Sequence, residues 1–380
     1  MTKIKTRKRK NVYAQSSIIA KCIKNKHQDK PLKIAFVDID ATLAGHPTVT
    51  KKAREKLEAL DYVLVFTTAR TEEMVMSKSA YEKSTALGFT RPKPRLAKKR
   101  GKYTYVDPKV YSANLVDPDV IIGSTGTQIL IKQPEGGFRK DHSFEEQFNI
   151  PSRTWRRTVF DFIDKIDPEK GYIRLAPIES QKYYNQRKTN IYPTPYRVKI
   201  MFQTVKEKIK FLEAVKAEKQ AKQFNFIDDS HPEKNQFLLY ITPRKASKRY
   251  AVEHVVNNIL KQLQISLENH TIKKSDLQVL LAGDSYPDLN MLFYGASGTK
   301  ATAIAVGGSR LTHVLTHESL HIYAGENMKH FKKNLKIRKG GKGHYSFTDR
   351  NIIFGDYAFP KTIGPETILA YLDKFTLNNK

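Results

Sequence analysis

The chain has 380 residues, of which 39% are hydrophobic, and its formal net charge is +29 at pH 7. This length and apolar content allow one large buried core or two to three smaller domains. Its apolar runs fall short of the roughly 18 residues that a membrane span requires. A single cysteine, Cys22, excludes a disulfide framework and a cysteine-built zinc site. We therefore expect a soluble globular protein that is either located in a reducing compartment, the cytoplasm, or indifferent to oxidation.

The positive charge is concentrated in three segments, 1–30, 91–109 and 329–344. Such blocks are typical of solvated loops and tails, and they also attract polyanions such as nucleic acid. Residues 1–31 lack the apolar stretch of a secretory signal and contain no acidic residue before Asp29. They predict a basic, disordered arm, with an organellar transit peptide as the alternative.

Beyond this arm, predicted strands and helices follow one another along the chain. Several apolar runs are continuous rather than alternating, which indicates parallel strands covered by helices on both faces. The strands are predicted at 33–40, 62–70, 119–127, 278–285 and 302–308, and the helices at 48–60, 249–263 and 288–296. This order predicts an α/β fold with a Rossmann-like, doubly wound parallel sheet.

The middle of the chain differs in pattern. Residues 133–243 combine half-exposed strand patterns with the helical stretch 205–220, and they predict an inserted α+β cap domain. The stretch "KQPEGGF" before it and "TPRKAS" after it have the composition of linkers. The catalytic core would then consist of residues 32–132 and 244–380.

Acidic residues follow two of the predicted strands. Asp38 and Asp40 end the first, and Asp284 and Asp288 follow the strand at 278–285. Hydroxyls of "FTTAR" end another strand, and Lys248 begins a helix. The carboxyl ends of parallel strands lie at one edge of a sheet, so these groups should converge there. Clustered carboxylates favour Mg²⁺, and a lysine and a hydroxyl beside the metal are typical of a phosphate site.

The motifs, taken in order, resemble those of the haloacid dehalogenase superfamily of phosphohydrolases. Asp38, Asp40 and Thr42 match its Asp-x-Asp-x-Thr signature, and Thr68 and Lys248 match its second and third motifs. Its fourth motif, Gly-Asp-x3-Asp, matches 283–288. An insertion between the second and third motifs is similar to the type-C2 cap, and stretches such as "DVIIGSTGTQILIKQPEGG" are most similar to the sucrose-phosphate phosphatase group.

The resemblance implies a role for each matched residue. Asp38 would be the nucleophile and a metal ligand, and Asp40 would be the general acid and base, with its carbonyl on the metal. Thr68 and Lys248 would bind the phosphoryl oxygens. Asp284 would ligate Mg²⁺ directly. Asp288 would do so directly, through water, or by orienting other ligands.

The residues themselves leave alternatives at two of these positions. Thr67 replaces Thr68 if the strand shifts by one residue. Arg244 or Lys245 could take the place of Lys248, although the spacing from "TP" favours Lys248.

Four other residues have a structural interpretation besides the functional one, and Ala41 departs from the family pattern. Thr42 is expected to form a turn rather than to react, and Arg70 to form a structural ion pair. Ser124 and Thr125 either contact a ligand or form a turn. Ala41 stands where this family often has glycine, so its turn should avoid a positive φ.

The substrate implied by the resemblance is a small-molecule phosphate ester, in particular a sugar phosphate. Aromatic side chains of the cap could stack on a sugar, but cap packing is the more common role; they are Trp155, Tyr183, Tyr184, Tyr192 and Tyr196. A phosphotransferase or mutase would use the same motifs. A nucleic-acid end phosphatase would use the basic segments as well, and a polyanion-binding protein without activity would use the basic segments alone.

Overall fold

The structure is a computed structural model that describes residues 11–14, 16–71, 75–87, 95–99, 102–106, 117–175, 194–231, 234–267, 272–292, 300–307, 309, 311, 351–354 and 361–377. Its strands are β1 (Leu32–Asp38), β2 (Tyr62–Thr67), β3 (Arg95–Lys99), β4 (Lys102–Val106), β5 (Val120–Gly123), β6 (Gln128–Lys132), β7 (Phe138–Lys140), β8 (Arg174–Leu175), β9 (Val198–Phe202), β10 (Phe224–Asp228), β11 (Phe237–Pro243), β12 (Leu277–Gly283), β13 (Lys300–Ala305) and β14 (Asn351–Phe354). Its α-helices are α1 (Ser17–His27), α2 (Pro47–Ala59), α3 (Lys78–Ala86), α4 (His142–Glu146), α5 (Ser152–Ile166), α6 (Val205–Ala217), α7 (Lys248–Ser266), α8 (Tyr286–Leu292) and α9 (Pro365–Leu377).

The larger sheet has the strand order β14-β13-β12-β1-β2-β5-β6-β7. The first six of these strands are parallel, and β6 and β7 continue the sheet antiparallel. Apolar residues are buried on both of its faces, one under α1, α7 and α8 and the other under α2, α3 and α9. The prediction of a doubly wound α/β fold is therefore confirmed, and the continuous apolar runs reflect burial on two faces.

A second sheet lies within residues 133–243, the segment predicted to be an inserted cap domain, and we call this part of the chain the cap. Its antiparallel order is β10-β11-β9-β8, and α5 and α6 pack on one face of it. Phe162 of α5 and Phe211 of α6 are fully buried in that core. Thr204 and Glu207 begin α6 with a reciprocal capping box, which satisfies two backbone N–H groups that the helix leaves free.

The cap begins later than the predicted residue 133. Residues 138–140 form β7 and belong to the larger sheet, where they pair with β6. The predicted linker "KQPEGGF" contains a hairpin turn instead: Gln133 N–H donates to Gly137 O at 2.7 Å, and Gly136 has a φ of 88°. Proline and glycine mark tight turns as well as linkers, which is why the sequence misplaced this boundary.

The prediction of a disordered arm is wrong for part of its length. Residues 17–27 form α1, which packs on α7 and β1 and buries Ile18, Ile19 and Cys22. These apolar residues repeat at helical spacing among lysines, so an amphipathic helix covers the sheet where we expected a solvated tail. Residues 1–10 lie outside the described residues.

Within the basic segment 91–109, β3 and β4 form an antiparallel hairpin. The described residues that flank this segment, Leu87 and Asp117, lie beside the turn between β6 and β7. Leu87 is close to Gly137, and Asp117 O accepts from Lys132 Nζ at 3.3 Å. That turn lies at the amino ends of the parallel strands, whereas Asp38 lies at their carboxyl ends. The segment 329–344 lies outside the described residues. In the part of the chain that the structure describes, no helix is both long and apolar enough to cross a membrane.

Candidate active site

The predicted strand ends meet at one edge of the larger sheet. Asp38 is the last residue of β1 and pairs in register with Thr67, the last residue of β2. On the other side of β1, β12 ends at Gly283, directly before Asp284. Since the three strands are parallel and adjacent, their polar ends converge in one crevice.

Lys248 lies at the centre of this crevice. Its Nζ donates to Asp38 Oδ1 at 2.7 Å, to Asp288 Oδ1 at 2.5 Å and to the carbonyl of Thr67 at 3.0 Å. The lysine side chain is only 1% exposed, so all three contacts are made away from bulk water. The alternatives Arg244 and Lys245 are exposed.

Asp288 organises the turn that carries Asp284. Its Oδ2 accepts from the backbone N–H groups of Asp284 and Ser285 and from the Ser285 hydroxyl, at 2.9 to 3.2 Å. A Cβ on Gly283 would lie 2.4 Å from Asp288 Cβ, so only glycine fits there. Asp284 also accepts from the Thr42 hydroxyl at 3.1 Å. Of the three roles predicted for Asp288, these contacts favour orienting the other residues.

Burial and like charge oppose ionisation of two of these carboxyls. Burial first, and then the charge of Asp288, raise the pKa of Asp38 well above its ordinary value. The same two causes raise the pKa of Asp284 to about 7. Burial on its own would lower the pKa of Lys248, but Asp288 and Asp38 more than offset it and raise that pKa. If all three carboxyls were ionised, the site would carry more negative charge than one lysine neutralises.

The carboxyl groups fit a divalent cation. One oxygen from each of Asp38, Asp284 and Asp288 lies within 4.8 Å of the others, and all the donors are oxygens. Hard cations such as Mg²⁺ prefer such donors. A bound cation would also relieve the repulsion that raises the pKa values of Asp38 and Asp284.

Asp40 lies outside that carboxylate cluster. Its side chain is 55% exposed and is held by the guanidinium of Arg70, whose Nε donates to Oδ2 at 2.7 Å and whose Nη2 donates to Oδ1. Such a bidentate pair fixes the orientation of the carboxylate. Arg70 thus forms the ion pair expected of it, with the predicted general acid as its partner.

Thr68 is buried at the end of β2, and its hydroxyl accepts from the Arg70 N–H at 3.0 Å. The hydroxyl of Thr67 lies 3.3 Å from Met291 Sδ, on the side of α8. Thr67 therefore uses its carbonyl in the crevice and its side chain in packing. That arrangement favours Thr68 over Thr67 as the hydroxyl available to a ligand.

The loop 124–126 links two parts of the site. Thr125 N–H donates to Thr68 O at 3.0 Å, and Ser124 N–H donates to Arg70 O at 2.7 Å. A Cβ on Gly126 would lie 2.3 Å from the backbone nitrogen of Lys248. The loop thus packs against the start of α7, and we infer that it helps to set the position of Lys248.

Ala41, which directly follows the Asp-x-Asp pair, adopts a left-handed conformation with a φ of 56°. Our expectation of an ordinary φ is therefore wrong. The turn is held by backbone bonds from Leu43 N–H to Asp38 O and from Ala44 N–H to Ile39 O. These bonds hold Ala41 in the left-handed region of φ and ψ, which is unfavourable by roughly 1–2 kcal/mol for a residue with a Cβ.

Replacing Ala41 by glycine is expected to raise the free energy of unfolding by about 0.5–1 kcal/mol, since the relieved strain exceeds the entropic cost of glycine. Denaturant midpoints would measure the change. The matched control is Ala44→Gly, where φ is not positive and glycine should destabilise the fold. A lower midpoint for Ala41→Gly would contradict the strain argument.

Two of the aromatic residues considered as sugar contacts lie in the cap core. Trp155 is 3% exposed and Tyr196 is 7% exposed, and both pack in the cluster under α5. Tyr183, Tyr184 and Tyr192 lie outside the described residues. The sequence reasoning missed Arg197, a cap residue that bonds to Ala69 and Thr125, because no motif distinguishes it from other arginines.

No family model and no curated protein matches the chain. Among solved structures, the sucrose-phosphatase from Synechocystis sp. in complex with sucrose and phosphate is 15% identical, with a TM-score of 0.47 and coverage of 91% of this chain and 98% of that one. A haloacid dehalogenase-like hydrolase from Bacillus subtilis and a putative HAD/COF-like hydrolase from Plasmodium vivax are each 13% identical, cover 94% of this chain and 99% of theirs, and have TM-scores of 0.40 and 0.39.

Proposed function

We propose that this chain is a Mg²⁺-dependent phosphohydrolase that cleaves a phosphate monoester through an aspartyl-phosphate intermediate on Asp38. The observation that carries the proposal is the contact of Lys248 with both Asp38 and Asp288, beside Asp284. A buried cation and a carboxylate nucleophile next to a metal-binding group are the components that phosphoryl transfer needs.

In the first step, a carboxylate oxygen of Asp38 attacks phosphorus, and the bond from phosphorus to the ester oxygen breaks. Asp40 donates a proton to the departing alkoxide. In the second step, water attacks the phosphorus of the aspartyl phosphate and gives its proton to Asp40. Inorganic phosphate leaves, and the carboxylate of Asp38 is restored. Each proton and bond is accounted for by Asp38, Asp40 and water.

The surrounding residues hold this chemistry in place. Lys248 reduces the charge on Asp38 and would bind a phosphoryl oxygen, as would Thr68. Arg70 holds Asp40 through two hydrogen bonds. When bound, Mg²⁺ would supply positive charge beside the transferred phosphoryl group, with Asp38, Asp284 and the carbonyl of Asp40 as its ligands and Asp288 orienting them or contributing directly.

We propose a sugar phosphate as the substrate class, on the sequence resemblance to the sucrose-phosphate phosphatase group. The cap sheet has one face covered by α5 and α6. Its other face carries Lys199, Met201 and Tyr240, and β10 of this sheet contacts α8 of the core. Since α8 contains Asp288, this contact brings the cap beside the crevice, where it would meet the leaving group.

The test is phosphate release from sucrose 6-phosphate, other sugar phosphates, nucleotides and a 3′- or 5′-phosphorylated oligonucleotide, each with Mg²⁺ or EDTA. We expect Mg²⁺-dependent release, with a sugar phosphate preferred. A shifted rather than released phosphate would indicate a mutase. Preference for the oligonucleotide, with a steep loss in salt, would indicate a nucleic-acid end phosphatase. No release from any ester would refute the hydrolase.

Mg²⁺ is expected to raise the melting temperature of the protein, because binding to the folded state alone stabilises it, by about 2.7 kcal/mol at one hundred times the Kd. Asp284→Asn should lose at least half of this shift. In EDTA the variant should melt no lower than the wild type, since it lacks one of the mutually repelling carboxylates.

The matched control for this thermal measurement is Asp164→Asn, an exposed carboxylate on α5. It should keep the full Mg²⁺ shift. An equal shift in Asp284→Asn and in the wild type would mean that Asp284 is not a metal ligand.

A further inference from the structure

Arg197 joins the cap to the catalytic core. It directly precedes β9, and its Nη1 donates to the carbonyl of Ala69 and to Thr125 Oγ1, the latter at 3.1 Å. Ala69 lies between Thr68 and Arg70, which are the proposed phosphate ligand and the partner of Asp40. The side chain of Arg197 therefore contacts two segments that border Asp38: the segment that follows β2 and the loop that follows β5.

On the cap, Arg197 is itself held firmly. Its guanidinium carbon lies 4.8 Å from the centre of the Tyr240 ring, at cation–π distance. Its carbonyl accepts from Arg156 Nη1 at 2.8 Å, and the same nitrogen donates to Thr194 O at 3.1 Å. Arg156 is 1% exposed. The turn before β9 is thus anchored in the cap core, so movement of the cap moves Arg197.

On the core, Arg197 meets a strained loop. Ser124 has a φ of 51° and Thr125 a φ of 62°, and a left-handed conformation is especially unfavourable for the β-branched Thr125. Such strain persists only where surrounding contacts impose it. The contacts here are the bonds to Thr68 and Arg70, the packing of Gly126 on Lys248, and the bond from Arg197.

We propose that Arg197 is a positioning residue that aligns Thr68, Arg70 and, through loop 124–126, Lys248 when the cap is docked on the core. This inference rests on the proposed function. Phosphoryl transfer depends on placement of the reacting groups, and an error of about 1 Å costs roughly 100-fold in rate. Docking of the cap would therefore complete the catalytic arrangement as well as cover the substrate.

The test compares Arg197→Met, Arg197→Lys, Thr125→Val and the Arg197→Met/Thr125→Val double variant. We expect Arg197→Met to lower kcat by about 10- to 100-fold, with KM within about threefold, because alignment rather than binding is lost. Lysine should restore part of kcat, since an ammonium still donates. Thr125→Val should lower kcat less, since it leaves the bond from Arg197 to the Ala69 carbonyl. The double variant should match Arg197→Met, because the contact that Thr125→Val removes is already lost in Arg197→Met.

A second readout does not depend on catalysis. Amide hydrogen exchange at Thr125 and Ser124, which donate to Thr68 and Arg70, should speed up in Arg197→Met and in Thr125→Val. The control is Arg157→Met, an exposed arginine on α5, which covers the opposite face of the cap sheet. It should leave both kcat and exchange at these amides unchanged.

The outcomes separate the two proposals. Wild-type kcat and unchanged exchange in Arg197→Met would overturn the positioning role, as would a change in KM alone. If the wild type released no phosphate from any ester, the proposed function would fail, while faster exchange at Thr125 in Arg197→Met would still support the coupling of cap and core.

Discussion

Replacing Asp38 by asparagine is expected to lower phosphate release by at least about 10⁴-fold, because the amide is a poor nucleophile and cannot form the aspartyl phosphate. The shape of the side chain is unchanged, and its oxygen can still accept from Lys248 Nζ, which lies 2.7 Å from Asp38 Oδ1 in the wild type. Initial rates with the preferred ester and saturating Mg²⁺ would measure the effect.

The same variant should remain folded, which separates chemistry from structure. Burial and the charge of Asp288 raise the pKa of Asp38, so its charged form is disfavoured in the folded protein without metal. A carboxyl whose pKa is higher in the folded protein than in the unfolded protein destabilises the fold once the pH rises above its unfolded-state pKa. Asp38→Asn should thus melt no lower than the wild type in EDTA at pH 8. Retained turnover in this folded variant would exclude Asp38 as the nucleophile.

Much of the site follows from strand chemistry alone. Continuous apolar runs predicted buried parallel strands, and parallel strands bring their carboxyl ends to one edge. That reasoning anticipated the convergence of Asp38, Lys248, Asp284 and Asp288, which come from three separate segments of the chain. No pattern along the sequence, however, encodes which way a side chain turns at the end of a strand.

The parts that could not be predicted depend on such orientations. Asp288 accepts from Lys248 with one carboxylate oxygen and from the turn around Asp284 with the other. Asp40 turns outward to Arg70. The strain at Ala41 arises from backbone bonds within its turn, which its residue type does not reveal. Arg197 acts across a domain contact that only the folded chain creates.

Replacing Lys248 by methionine is expected to lower the free energy of unfolding by about 3–5 kcal/mol, because it removes one partner of a buried ion cluster and leaves Asp38 and Asp288 without their cation. The lysine is 1% exposed, so water cannot compensate. Methionine fills most of the volume of the lysine side chain, so the lost stability comes from the missing charge and not from packing. Turnover should be abolished as well. Thermal or denaturant unfolding in EDTA would measure the stability change.

A control for this variant exists in the cap. Lys208 is also fully buried, and its Nζ donates to Asp228 Oδ2 at 2.8 Å and to Ser230 Oγ at 2.9 Å. Lys208→Met should destabilise the protein by a similar mechanism but keep turnover within about tenfold at temperatures where it stays folded. Equal loss of turnover in the two variants would mean that instability, and not the position of Lys248, explains the inactivity.

Charge repulsion can be tested further by combining Lys248→Met with Asp38→Asn. If unpaired carboxylates cause the instability, removing one of them should recover part of the lost stability, so that the two changes are strongly non-additive. Lower pH should also recover part of the stability that Lys248→Met loses. As pH falls from 8 to 5, protonation of carboxyls without a partner should reduce the gap between Lys248→Met and the wild type. A gap independent of pH and of Asp38 would show that Lys248 supports the fold by packing, and its role as the counter-ion of the nucleophile would then have to be abandoned.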